Sequence, residues 1–111
     1  MENLPPAVVT DVENPDLRCL KVMVGTIHLR FAQKLTLAQI AASGAVGQSK
    51  CCKLFMRFLN QTPMAYVNQY RLYQSLELLR NTAMSVTEIA LAVGFGSASY
   101  YAEAFRQGFD Q

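Results

Sequence analysis

Two stretches, TLAQIAASGAVGQSKCCKLF at residues 36–55 and SVTEIALAVGFGSASYYAEAF at residues 85–105, carry one set of structural signals twice. Each opens on a capping box. Thr36 with Gln39, and Ser85 with Glu88, place a hydroxyl to accept the amide three residues on, while the longer side chain reaches back to the cap's own N–H. Each also carries a hydrophobic staple, Leu35 facing Ile40 and Met84 facing Ile89. Leu37, Ile40 and Ala41 match Val86, Ile89 and Ala90 at an offset of 49, and Gly47, Cys51 and Phe55 match Ser97, Tyr101 and Phe105 at an offset of 50. One extra residue in the second turn, Gly96, accounts for the change. Each copy therefore predicts a short helix, a glycine-bearing turn and a second helix, which is a helix-turn-helix. Ala41 and Ala90 are small enough for two helices to cross there, and Gly94 is free to adopt positive φ. The first copy has Ala45 at that place, so either Gly44 absorbs the strain or the turn is tighter.

Working outward, Thr62-Pro63 is an N-cap followed by proline at the first helical position. It opens a helix running to about Arg80, with Tyr66, Tyr70 and Tyr73 on one face and Leu72, Leu76 and Leu79 on the next. Upstream, Leu17, Leu20, Val24, Ile27 and Phe31 form one stripe at helical spacing, with Lys21, Arg30 and Lys34 off it. The expectation is an all-α fold of two helix-turn-helix subdomains joined by a long central helix. Residues 1–15, with three prolines and no periodicity, read as an acidic tail. Residues 16–61 make the first lobe, 62–80 the connecting helix, and 81–111 the second lobe.

With 51% hydrophobic and 16% charged residues, the 111-residue chain can bury a core. No apolar run approaches the ~18–20 residues of a membrane span. The N-terminus lacks a basic region followed by an apolar stretch, so no signal peptide is expected and the cytoplasm is the default compartment. Cys19, Cys51 and Cys52 have neither disulfide nor zinc-ligand spacing, and His28 has no partner set, so no metal and no cofactor are expected. No Ser-His-Asp, paired-carboxylate or phosphate-loop pattern is present, which argues against catalysis.

The formal charge of +2 hides an uneven distribution. All ten Lys and Arg lie between Arg18 and Arg106, accompanied only by Glu77, Glu88 and Glu103, which leaves +7 on the folded region. An anionic partner fits that excess. In the second helix of the first copy, Cys51, Leu54, Phe55 and Phe58 fall on an inner face, and Ser49, Cys52, Lys53, Met56 and Arg57 lie opposite. In the second copy Tyr101 and Phe105 point inward, with Tyr100 at the edge and Ser99, Ala102, Glu103 and Arg106 outward. Both outer faces begin with small polar residues, which let a helix N-terminus approach a groove closely. The long helix, ~18 residues and ~27 Å at 1.5 Å per residue, can hold two such helices about one duplex turn, ~34 Å, apart.

From Leu35 onward the chain resembles the DNA-binding domain of AraC/XylS-family transcriptional regulators, over roughly residues 16–109. The stretches Ser85-Val-Thr-Glu-Ile-Ala, Val93-Gly-Phe-Gly-Ser-Ala-Ser-Tyr-Tyr and Phe105-Arg are similar to that family's I-A-x-x-V-G-F-x-S-x-S-Y-F followed by F-(K/R). Asn60-Gln-Thr-Pro63, Tyr66 and Arg71-Leu72 are similar to its run into the connecting helix. The resemblance implies tri-helical lobes, with a monomeric domain reading asymmetric double-stranded promoter DNA and often recruiting RNA polymerase. It implies base-facing roles for Ser49, Cys52, Lys53, Ala98, Ser99, Ala102 and Glu103. Phosphate contacts would come from Gln48, Arg57, Ser97 and Arg106. Lys53 could donate to guanine and Glu103 could accept from cytosine.

This chain departs from the pattern in places. Gly47 stands where the family usually has Ser as the cap of the first recognition helix. Met56 and Glu103 stand where basic residues are common, which lowers the expected non-specific affinity. The chain ends at Asp110-Gln111, short of the family's last helix, so the second lobe is expected to expose part of its core and to be the less stable. Two other readings remain open: a helical protein-interaction module, and a non-specific DNA binder.

Overall fold

Asn14 opens the first helix by accepting the amides of Asp16 and Leu17 on its side-chain oxygen, at 3.1 and 3.2 Å. Pro15 at the first helical position needs no N–H partner there. The structure is a computed structural model describing residues 14–109, and most of the acidic tail read from the sequence lies outside them. Asn14 and Pro15 do not belong to a tail; they are the cap and first residue of α1 (Pro15–Arg30), whose first turn also holds Asp16. Five further helices follow: α2 (Leu37–Ser43), α3 (Gln48–Leu59), α4 (Pro63–Asn81), α5 (Val86–Ala92) and α6 (Ala98–Phe109). No strand occurs among the described residues.

Both capping boxes form. Thr36 and Ser85 accept the amides of Gln39 and Glu88 at 3.2 and 3.1 Å, and the Gln39 and Glu88 side chains accept the cap amides at 2.9 and 2.7 Å. The turns that follow are also alike. Val46 N–H donates to Ala41 O and Phe95 N–H to Ala90 O, at 3.1 and 2.9 Å. Gly44 and Val93 end their helices at nearly equal angles (φ −95°, ψ 5° and φ −98°, ψ 4°).

The left-handed residue is Ala45 (φ 59°) in the first copy and Gly94 (φ 98°) in the second. Gly44 absorbs no strain, because Ala45 takes the left-handed conformation itself, at a cost of about 1 kcal/mol for a residue with a Cβ. Gly44 is small for another reason. A Cβ there would meet Met23 Cγ at 2.7 Å and Cys19 Sγ at 3.0 Å.

Two cores result. Leu20, Met23, Ile27, Leu35, Ile40, Ala41, Cys51, Leu54, Phe55 and Val67 fill the first. Leu72, Ile89, Ala90, Val93, Phe95, Tyr101 and Ala104 fill the second. Met23, absent from the stripe read in the sequence, is fully buried, and Phe31 turns away to pack against the second core. α4 belongs to both lobes, giving Val67 to one and Leu72 to the other. Its buried stripe is Pro63, Val67, Arg71, Leu72 and Ser75 rather than the tyrosine face. Tyr70 instead stacks on His28 (4.2 Å between ring centroids), and Tyr66 O–H lies 2.8 Å from His28 Nε2.

Arg71 joins the lobes. Its side chain is 5% exposed, and it donates from Nε to Phe31 O (2.8 Å) and from Nη2 to Gln33 O (3.0 Å). Burial pushes its pKa below the usual arginine value. Gly94 sits directly against this contact, since a Cβ there would lie 2.5 Å from Phe31 O and 2.9 Å from Arg71 Nε. On the outer side of the second lobe, Leu79, Val86, Tyr101, Phe105 and Phe109 line an open groove of about 560 Å³.

The two turns should respond oppositely to substitution. Gly94→Ala should lower the unfolding free energy by more than about 2 kcal/mol, because the clash with Phe31 O adds to the unfavourable φ. Ala45→Gly should raise it by up to about 1 kcal/mol. Urea unfolding of both variants checks this; equal effects would mean that the turns are not strained as described.

Candidate nucleic-acid interface

α3 and α6 are the second helices of the two units, and each keeps one face in a core. On α3, Cys51, Leu54 and Phe55 are buried and Phe58 half-buried. That leaves Gln48, Ser49, Lys53, Met56 and Arg57 exposed and Cys52 half-exposed, on the outer side. On α6, Tyr101 and Ala104 are buried, so Ser97, Ser99, Ala102, Glu103 and Arg106 face outward, with Ala98 half-buried beside them. The eleven residues singled out in the sequence thus fall into two groups, five on α3 and six on α6 or, for Ser97, immediately before it.

The two helix starts differ. Gly47 caps α3 with no side-chain hydrogen bond. Ser97 Oγ accepts Tyr100 N–H at 3.1 Å, so this hydroxyl closes the first turn of α6 before any ligand arrives. Tyr100 is then held from α4, where Asn68 Nδ2 donates to its oxygen at 3.1 Å, and its ring meets Phe95 edge-on at 5.5 Å. The tyrosines accordingly position helices.

The electrostatics differ as well. On α3, Lys50, Lys53 and Arg57 lie at i, i+3 and i+7, one stripe of which the sequence reading named only Lys53 and Arg57. They line an open cleft of about 610 Å³ together with Ser49 and Asp16. Asp16, in the first turn of α1, pairs with Lys50 Nζ at 3.2 Å and Arg57 Nη1 at 3.5 Å. The guanidinium of Arg57 also lies 4.8 Å from the Phe58 ring centroid. The folded region therefore carries Asp16 besides Glu77, Glu88 and Glu103, one acid more than the sequence reading assigned to it. On α6, Glu103 pairs with Arg106 and accepts from Gln107 Nε2 at 3.0 Å. Positive potential is concentrated on α3, whereas the charges of α6 neutralise one another.

The three thiols are free. Cys19 Sγ donates to Gly44 O at 3.2 Å, and Cys51 is fully buried, its thiol pushed up to about 11 chiefly by burial. Among the described residues no three potential metal ligands gather, and no helix is long and apolar enough to cross a membrane.

The helix-turn-helix domain family matches residues 40–111. The helix-turn-helix transcriptional regulator YdeC of Bacillus subtilis is 43% identical over 91 residues, covering 82% of this chain and 31% of its own length. The transcriptional activator RhaS of Klebsiella pneumoniae is 29% identical over 104 residues, covering 94% and 37%. The chain spans about a third of the length of these curated relatives. Among solved structures, a transcriptional regulator with an AraC-type DNA-binding domain from Chromobacterium violaceum superposes with a TM-score of 0.78 at 26% identity. That match covers 85% of this chain and 84% of the other.

Thiol labelling should separate the cysteine on the outer side of α3 from the buried one. At pH 8 a thiol titrating near 11 is about one part in a thousand thiolate. Iodoacetamide should therefore label half-exposed Cys52 in the native protein and Cys51 only after denaturation. Mass spectrometry of the peptides decides it, and equal labelling would show that α3 does not pack as described.

Proposed function

The chain belongs to the AraC-type helix-turn-helix family of transcriptional regulators, and from that premise we propose that it reads double-stranded promoter DNA with α3 and α6 in successive major grooves. Sequence-specific DNA binding is the work of this family's domain, which is not an enzyme class. The observation that carries the finer reading is the repeated unit. Two helices, each preceded by a short helix with the same capping box and by a turn with the same closing hydrogen bond, are mounted on one continuous α4 of 19 residues. At 1.5 Å per residue α4 spans ~28 Å, close to the ~34 Å between successive major grooves on one face of a duplex. One copy of the chain then suffices, and the DNA-binding unit acts as a monomer.

Within this reading Lys53 and Ser49 approach base edges from α3, with Cys52 supplying a soft apolar contact. Gln48 and Arg57 hold phosphates. On α6, Ala98, Ser99 and Ala102 allow close approach, Glu103 accepts from a base amine, and Ser97 and Arg106 meet the backbone. Glu103 and Arg106 must part to do so, which makes the second lobe the more selective and the less adhesive of the two. The likeness to RhaS, named a transcriptional activator, supports positive control of transcription. On the same proposal RNA polymerase is the protein partner, and the cytoplasm, on the nucleoid, is the place of action.

The apolar groove on the second lobe favours one other reading, a protein-docking module. Salt separates the two, because a protein that neutralises several phosphates loses duplex affinity steeply with salt.

Fluorescence-anisotropy selection from a randomised duplex pool should enrich an asymmetric site with two elements about one turn apart. Lys53→Ala should weaken binding by about 1–3 kcal/mol and relax preference at one base pair. Binding without enrichment would leave a non-specific binder, and absence of binding at low salt would favour the docking module.

A further inference from the structure

The cleft between the start of α1 and the outer edge of α3 holds three cations and one carboxylate, and the carboxylate is placed as a ligand would be. Asp16 offers both of its oxygens, Oδ1 to Lys50 Nζ at 3.2 Å and Oδ2 to Arg57 Nη1 at 3.5 Å. The cationic side chains come from positions two turns apart on the reading helix, with Lys53 on the same stripe between them. One anion bridging two such groups is the arrangement a backbone phosphate would make. We propose that Asp16 is a resident counter-ion occupying, in the free protein, the seat of a DNA phosphate between Lys50 and Arg57, and that it gives way when the duplex arrives. The proposal rests on the DNA-binding reading and adds Lys50 to the contacts expected from the sequence.

Three observations carry it. Asp16 is fixed at its base: it sits in the first turn of α1, where the helix dipole favours an acid, and its N–H donates to Asn14 Oδ1 at 3.1 Å. The cationic side chains are not fixed in this way, since those of Lys50 and Arg57 are 54% and 61% exposed and carry their charges on long stems. Ion pairs of this exposure are weak and screened by salt, so exchange of one anion for another is easy. The cleft is also open, at about 610 Å³, and leads directly to Ser49 and Lys53 on the reading face.

The consequence is a tempered affinity. Any polyanion must compete with Asp16 for two of the three cations on α3. Because these pairs are weak, a duplex still displaces the carboxylate, at a modestly lower affinity than the same cleft would give without it.

The test compares the full chain with D16N, K50A and D16N/K50A, each first checked for wild-type helicity and melting. Anisotropy titrations use a random-sequence duplex over a range of salt, and elution from immobilised heparin runs in parallel. D16N should bind the random duplex about 3–10-fold more tightly at low salt, with a salt slope steeper by about one. K50A should bind more weakly, and the double variant should lose most of the D16N gain. If D16N melts below the assay temperature, Asp16→Ser repeats the comparison. D16N binding no more tightly than wild type, and leaving heparin no later, would overturn the proposal by reducing Asp16 to a tether between α1 and α3. Later heparin elution by D16N, with no duplex binding by any variant, would keep the cleft as an anion seat and remove the DNA-binding reading instead.

Discussion

A buried guanidinium with no carboxylate beside it among the described residues holds the two halves of this protein together. Arg71 spends its donors on the carbonyls of Phe31 and Gln33, in the segment between α1 and α2. Those carbonyls follow a helix end, where the last acceptors of a helix lack partners within it. Arginine suits this place because its rigid fork can satisfy two acceptors at once and it stays charged even when burial lowers its pKa. Removing it would take the side-chain partner from two partly buried carbonyls at the junction between α1, α4 and the second turn, and the loss would fall on both lobes. The second turn is built around the same contact, since only a residue without a Cβ fits at Gly94 against Phe31 O.

The repeated unit is therefore conserved in its hydrogen bonding while its residues are interchanged. In the first copy the helix ends on glycine and alanine takes the left-handed position; in the second the helix ends on valine and glycine takes it. What crowds each turn explains the exchange. α1 presses on the end of α2 through Met23 and Cys19, so the small residue is needed there. Behind α5 the corresponding place is filled by buried Val93, and the crowding comes one residue later. Phe95 is then buried beneath the turn, and Gly96, also left-handed at φ 85°, supplies the additional step before α6.

These causes explain what was legible in the sequence. Caps and staples are local, so Thr36, Gln39, Ser85 and Glu88 could be read directly, and with them the all-helical, two-lobed fold. The inner faces of α3 and α6 follow from helical periodicity, and the outward positions of the candidate contacts follow by subtraction. The buried stripe of α4 was not legible. Its partners are main-chain carbonyls nearly forty residues away and two separate cores, neither of which imposes a pattern on α4 itself. Asp16 was hidden for a similar reason. It stands beside a run of acids in sequence, and its pairing with Arg57 spans 41 residues. Lys50 alone had a readable signal, its spacing to Lys53 and Arg57.

Because α4 is a single helix with a core at each end, its length sets an angle as well as a distance. Inserting one residue between Val67 and Leu72 would advance the second lobe by ~1.5 Å and rotate it by ~100° about the axis of α4. A duplex turns by only ~34° per base pair, so moving the second element of a site by one base pair could not restore the alignment. Loops elsewhere can lengthen without this penalty. α4 acts as a vernier, tying the number of residues between the lobes to the number of base pairs between the halves of any site the protein reads.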